Sequence, residues 1–366
     1  MTIKQKVLFL EKPRIEELKR FETLFECIYY QVTTVEQCVK DFQSKFKDIE
    51  AIYCGWMGFS QLGGFRGKLI SFAPRNLKII TTCTVGHDHF DTKELTERGI
   101  ILTNVPSNLA FEAVADMVLY NTIASFRNFK LYELNFKDEF TTTGVLRSSL
   151  IEGKFNKLEG KAEMKPELKG SFGEKCCGRA NLSPRNHDVV IVGFGNIGRL
   201  IGKRLDLIGM NVHYVKRNKL TDSEEKNLGY NVTYHPTIED TKEFADLIVI
   251  ACPGSPSTKH IINSRIIDNM KKPFRIINIG RGSCIDENAL IQGLKNGKIL
   301  FAGLDVFENE QTTVNPELIG RQDVVLTPHI GSATTENYAH TALTSIENIE
   351  TVLLNFDRPI TNVNYI

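Results

Sequence analysis

Asp188-Val-Val-Ile-Val192-Gly193-Phe194-Gly195-Asn196-Ile197-Gly198 is the stretch on which the fold turns. The apolar run Val189 to Val192 leads into glycines spaced G-x-G-x-x-G, and a helical apolar pattern follows from Ile197 to Ile208. Strand, glycine turn and helix in that order form a dinucleotide-binding fingerprint, which the glycines alone would not. Gly193 permits the tight turn, Gly195 lets the backbone approach a pyrophosphate, and Gly198 lets the helix pack close to the strand. Phe194, Asn196 and Ile197 complete the loop, whose N–H groups at the helix amino terminus are offered to the same anion.

The next strand is predicted at Val212 to Val215, and its end discriminates between cofactors. NAD enzymes place Asp or Glu there to accept from the ribose hydroxyls. This chain instead reads Val215-Lys216-Arg217-Asn218. Two cations where a 2′-phosphate would lie favour NADP(H), because a planar guanidinium matches phosphate geometry. NAD(H) stays possible, since a basic turn accommodates a phosphate without requiring one.

Further buried-strand candidates at Leu247 to Ala251, Arg275 to Asn278 and Val324 to Leu326 extend this unit into a Rossmann-type, doubly wound parallel sheet, an α/β architecture. Upstream, Lys6 to Leu10, Ala51 to Cys54, Leu77 to Thr82 and Ile100 to Thr103 alternate with helical patterns and predict a first α/β unit. A helix free of Pro and Gly over Ala110 to Phe129 is expected to bridge the two. The length of 366 residues suits two domains with a cleft between them. A Lys-, Glu- and Gly-rich segment at about 131–186 exceeds ordinary connections and is expected to be an insert, part of it mobile.

Lys plus Arg total 45 against 44 Asp plus Glu, so no overall field draws the chain to nucleic acid or to an anionic membrane. A small-molecule partner is favoured. The eight cysteines show no C-x-x-C spacing, which fits reduced thiols in a reducing compartment. Adjacent Cys176 and Cys177 read as exposed thiols, either oxidant-sensing or inert. No uninterrupted apolar stretch approaches the roughly 20 residues that cross a bilayer, so a cytoplasmic location is expected.

The ordered set Thr84-Val-Gly-His-Asp88, the glycine fingerprint, Asn278-Ile-Gly-Arg281-Gly282, Gly303-Leu-Asp305-Val306 and Thr327-Pro-His329-Ile-Gly-Ser-Ala-Thr334 resembles the D-2-hydroxyacid dehydrogenases. The resemblance implies a flavodoxin-like α/β substrate domain split between residues 1–110 and 335–366, with a cofactor domain at 111–334 between the pieces. It assigns Arg281 to the carboxylate and carbonyl of a 2-keto acid, His329 to proton donation, and Glu310 to pairing with His329. The residue types suit these roles. A guanidinium fork can hold adjacent oxygens and stabilise the charge that grows as hydride arrives. A histidine beside a carboxylate keeps its protonated form populated near neutral pH. Alone, Arg281 would pass for a capping arginine and His329 for a satisfied polar residue at a strand end; their joint appearance past strand ends, where α/β sheets place their ligands, points to a site.

By the same resemblance, backbone N–H groups of Val85 and Gly86 receive the substrate carboxylate. Asp305 meets the nicotinamide carboxamide, Val114 faces the nicotinamide ring, and Cys252 and Thr258 flank the adenosine side. Trp56, the only tryptophan, is equally readable as a pocket wall or a core aromatic. Gln311 replaces the proline usual after the family's glutamate, which could loosen the loop holding Glu310. Formate-type members are expected to carry glutamine at position 310, and the 37 residues after His329 are too few for an ordinary additional domain. The set is therefore most similar to the glyoxylate and hydroxypyruvate reductases, working as a homodimer around the bridging helix. The alternative is a cofactor-sensing corepressor-type module without turnover.

Overall fold

Runs of β-branched residues buried on both faces build two parallel sheets, as such runs do when helices cover each side. A computed structural model describes residues 4–136, 142–166 and 171–364. The first sheet contains β1 (Lys6–Phe9), β2 (Glu26–Tyr29), β3 (Ile49–Tyr53), β4 (Ile79–Thr81) and β5 (Ile101–Thr103), in the order β2-β1-β3-β4-β5. That order is the flavodoxin-like one. Leu8, Ile52 and Ile80 enter one apolar cluster while Val7, Ala51 and Ile79 enter another, the alternation a pleated strand imposes. The helix Thr335–Leu354 lays Ile346, Ile349, Val352 and Leu353 into the second cluster, so the end of the chain covers the sheet that its beginning forms.

Two short antiparallel ribbons follow, β6 (Lys154–Asn156) with β7 (Lys161–Glu163) and β8 (Lys175–Cys176) with β9 (Arg179–Ala180). The larger sheet comprises β10 (Asp188–Val192), β11 (Asn211–Val215), β12 (Thr233–His235), β13 (Leu247–Ile250), β14 (Phe274–Asn278), β15 (Ile299–Leu304) and β16 (Val324–Leu326). Its order is β12-β11-β10-β13-β14-β15-β16, all parallel. The winding direction reverses between β10 and β13, and open α/β sheets bind their ligands in the crevice at such a switch point. By contact density the chain divides into two compact units, Met1–Ala110 with Ala333–Ile366, and Phe111–Ser332.

The helix expected over Ala110 to Phe129 runs from Asn108 to Arg127. It stops at Asn128, which takes the left-handed conformation (φ 51°) that Asn tolerates, and a second helix, Phe129–Leu134, follows. Among the described residues this is the one helix long and apolar enough to cross a membrane. Its Ala115, Val118 and Phe126 are fully buried in the cluster that contains Val189 and Ile191 of β10, which makes it a core helix of the larger unit.

Within residues 131–186 the described part is folded, and the expectation of partial mobility falls in part on 137–141 and 167–170, which lie outside the described residues. A helix, Thr143–Glu152, and both ribbons share a small core of Leu131, Leu146, Leu150, Cys176 and Cys177. The two cysteines are 0% and 3% exposed, so the reading of them as exposed thiols is corrected. Buried Arg321 fixes the segment to the sheet: it donates twice to Asp323, at 3.0 Å each, and to the carbonyls of Lys157 (2.9 Å) and Leu158 (3.1 Å). Its guanidinium satisfies loop carbonyls that apolar patterning could not reveal.

Candidate active site

The glycine loop joins β10 to the helix Asn196–Leu207. Gly193 has φ +93°, and a Cβ there would lie 2.6 Å from the Cys252 backbone, so both conformation and space demand glycine. At Gly198 a Cβ would strike the Gly193 carbonyl, which is the close helix–strand packing expected. Gly195 is different. Its φ of −87° suits any residue and a Cβ would meet nothing within 4 Å. Neither fold nor strain requires glycine there, so the open cradle is what an approaching pyrophosphate would fill, beside exposed Asn196 at the helix amino terminus. Phe194 departs from the simple loop picture: its ring is 1% exposed and stacks on Tyr214 at 4.5 Å, so only its backbone can face a ligand. Ile197 likewise packs against the core.

Lys216 and Arg217 follow directly on β11, whose Val215 carbonyl accepts from Gly193 N–H at 2.9 Å, so the basic turn abuts the glycine loop. Arg217 is exposed, and neither cation forms an ion pair among the described residues. After β13, Thr258 ties its own turn together, donating to the Pro253 carbonyl (2.8 Å) and accepting from Ser255 N–H (2.9 Å). Cys252 is 7% exposed, and its sulfur lies 3.8 Å from that of Cys284.

Past β14 the chain turns sharply to present Arg281. Asn278, 1% exposed, clamps this turn by donating to the Arg281 carbonyl (3.0 Å) and accepting from Gly280 N–H (3.1 Å). The Arg281 Nη1 donates to the Gly280 carbonyl at 2.8 Å. At Gly282 a Cβ would collide with the backbone of Phe307, so the Arg281 turn rests against the loop that carries Glu310.

Glu310 Oε2 accepts from Phe307 N–H at 3.3 Å, and Oε1 lies 3.1 Å from Nδ1 of His329. The hydrogen bond and charge of Glu310 raise the His329 pKa above the ordinary value, outweighing the partial desolvation of this exposed ring and the opposing charge of Arg281. Burial pushes Glu310 up, but His329, the Phe307 amide and Arg281 together bring it below the ordinary carboxylate value. An Nδ1–H held by Glu310 leaves Nε2 to carry a transferable proton.

His329 sits at φ +55°, the left-handed region, at a cost of roughly 1–2 kcal/mol for a residue with a Cβ. Buried Asp305 secures it: Oδ1 accepts from the Thr327 hydroxyl (2.6 Å) and Ile330 N–H (2.9 Å), and Oδ2 from Gly331 N–H (2.8 Å). A Cβ at Gly331 would come 3.3 Å from Val114, so Val114, Asp305 and the His329 turn adjoin one another. Sequence reasoning missed two supports, the Asn278 clamp and the Asp305 anchorage; the signal for both was a polar residue at the end of an otherwise apolar strand.

In the smaller unit, Trp56 is half-buried and its ring stacks on Tyr338 at 4.4 Å, while its backbone N–H donates to the Glu11 carboxylate at 3.2 Å. The ring packs against the cluster under the carboxyl-terminal helix. The carbonyls of Val85 and Gly86 accept from the Asn104 amide (2.6 Å) and the Thr84 hydroxyl (2.6 Å). Their N–H groups have no acceptor among the described residues, as an anion-receiving loop requires.

A Rossmann sheet with a glycine cradle at its switch point, and an arginine whose charge acts on a paired carboxylate and histidine, defines a nicotinamide-dependent oxidoreductase. The model of the D-isomer specific 2-hydroxyacid dehydrogenase NAD-binding domain matches residues 169–331. Glyoxylate/hydroxypyruvate reductase A of Arabidopsis thaliana is 33% identical over 287 residues, covering 78% of each chain. The holo D-mandelate dehydrogenase of Rhodotorula graminis superposes with a TM-score of 0.83 at 27% identity, covering 100% of this chain and 99% of that one. The NADPH-dependent glyoxylate/hydroxypyruvate reductase of Sinorhizobium meliloti, solved with NADP and malonate, gives 0.73 at 25% identity, over 98% and 97%. The chain belongs to the D-isomer-specific 2-hydroxyacid dehydrogenase family.

Proposed function

We propose that this protein reduces a small 2-keto acid of the glyoxylate or hydroxypyruvate type to the D-2-hydroxy acid, with NADPH as preferred donor. The observation that carries the reading is the Glu310–His329 pair at 3.1 Å under the charge of Arg281, a carboxylate-raised proton donor beside a cation. When bound, the nicotinamide cofactor supplies the hydride. Arg281 holds the substrate carboxylate and carbonyl oxygen and stabilises the oxyanion as it forms. His329 delivers its Nε2 proton to that oxygen, while Glu310 fixes the ring and offsets the imidazolium charge until the proton leaves. Within the larger unit Asp305 and Val114 flank the nicotinamide and Cys252 and Thr258 border the adenosine side; within the smaller unit the Val85 and Gly86 N–H groups are offered to a carboxylate. The same proposal includes a homodimer, which sedimentation velocity reads directly. The intact set of Arg281, Glu310 and His329 favours turnover over a corepressor-type module.

The test follows NADPH and NADH oxidation over glyoxylate, hydroxypyruvate, pyruvate, 2-ketoisocaproate and phenylpyruvate. Turnover fastest with NADPH and the two smallest polar acids is expected; turnover confined to phenylpyruvate would overturn the substrate assignment.

The cofactor preference rests on Lys216 and Arg217. A charge-assisted phosphate contact contributes about 1.5–3 kcal/mol, or roughly ten- to a hundredfold in affinity. Arg217→Asp is therefore expected to raise the KM for NADPH by about that factor, with little change for NADH. Equal losses with both cofactors would remove the phosphate argument.

A further inference from the structure

We infer that Cys252 and Cys284 are a reversible disulfide-forming pair, a site of modification by peroxide at the junction of the glycine cradle and the Arg281 turn. The sulfurs are 3.8 Å apart, although 32 residues separate them in sequence. Each is tied to machinery on its own side. The backbone of Cys252 is the surface against which Gly193 and Gly280 pack, with each Cβ, if present, 2.6 Å from it. Cys284 N–H donates to the Arg281 carbonyl at 3.1 Å, and the Cys284 carbonyl accepts from Ile262 N–H at 3.1 Å. The pair thus links the end of β13 to the short helical turn that starts from Arg281.

The two thiols are chemically unequal, as a reactive pair requires. Cys284 is held below an ordinary thiol by the Cys252 S–H that donates to it and by the peptide and charge of Arg281, against a burial penalty. Cys252, donating to that sulfur and buried, is pushed up. Cys284 is the thiolate nucleophile and Cys252 the resolving thiol. Cys252 keeps 7% of its surface exposed and Cys284 none, so a small neutral oxidant reaches the pair from the Cys252 side.

The chemistry balances with hydrogen peroxide as the named oxidant. The Cys284 thiolate attacks one peroxide oxygen, the O–O bond breaks, and with one proton water departs and Cys284 becomes a sulfenic acid. Cys252 sulfur then attacks the sulfenic sulfur, the S–O bond breaks, and the Cys252 proton leaves with hydroxide as a second water. Two thiols lose two electrons, and peroxide is reduced to two waters. Bond formation draws the sulfurs from 3.8 Å to about 2.05 Å and pulls on the residue that anchors the Arg281 turn. A displacement of about 1 Å near reacting groups can cost about a hundredfold in rate.

The experiment treats the full-length protein with hydrogen peroxide, then denatures, alkylates and maps it by mass spectrometry. The expected product lacks two hydrogens, yields a cross-linked peptide pair containing Cys252 and Cys284, and reverts with dithiothreitol. Cys252→Ser, which removes the resolving thiol, is expected to leave a sulfenic acid at Cys284 that dimedone traps. Recovery of both residues fully alkylated, or a cross-link that excludes them, overturns the inference. Only the accompanying activity loss, expected at about ten- to a hundredfold, rests on the proposed reduction; the mass readout stands apart from turnover, so failure of one is distinguishable from failure of the other.

Discussion

Arg281→Ala is expected to lower kcat/KM for the preferred keto acid by about a thousandfold or more. One donor to a developing oxyanion is worth about a hundred- to a thousandfold, and this residue adds a charged, two-pronged grip on the carboxylate. Arg281→Lys should recover only part, because an ammonium restores the charge without the fork. NADPH binding, followed by fluorescence titration, should survive both substitutions, since Arg281 is placed on the substrate and not on the glycine cradle. Undiminished kcat/KM in the alanine variant would falsify the assignment.

His329→Ala should cost about a hundred- to ten-thousandfold in kcat, the usual worth of a positioned general acid. The more discriminating variant is Glu310→Gln. Because Glu310 raises the His329 pKa, the imidazolium persists to higher pH than the ordinary value of about 6.5 would allow. Reduction needs that protonated form, so the native rate should stay high at acid and neutral pH and fall as pH rises through the elevated pKa. Removing the carboxylate charge lowers the pKa, and the falling limb should move to lower pH. Oxidation of the hydroxy acid, which needs the neutral ring, should show the mirror-image shift. A Glu310→Gln profile superimposable on the native one after scaling would mean that His329 is not the titrating donor.

The sequence carried the outline because buried parallel strands announce themselves. β1, β3, β4, β5, β10, β11, β13, β14 and β16 all fall where apolar runs predicted them. The strands it did not yield have physical excuses. β2 and β12 are short edge strands, half exposed, so one flank needs no apolar residue. β15 contains Gly303, a poor strand former retained because a Cβ there would press to 3.0 Å from Asn121. Residues 131–186 read as solvent-loving because their fixture to the sheet is electrostatic, through Arg321 and Asp323. The chemistry of Arg281, Glu310 and His329 was readable from residue types in order. Their supports were not, since nothing in Asn278 or Asp305 reveals which N–H groups each will hold. The Gln311 substitution weakens nothing visible: Glu310 is still held by Phe307 N–H.

The absent side chain of Gly282 has a consequence for how this protein could diversify. With backbone pressed on backbone at Phe307, the turn that aims the arginine and the loop that aims the carboxylate cannot be adjusted independently. They behave as a single casting. A lineage, or an engineer, seeking a bulkier or more apolar acid would find this block closed to incremental change, because moving the arginine would carry the carboxylate with it.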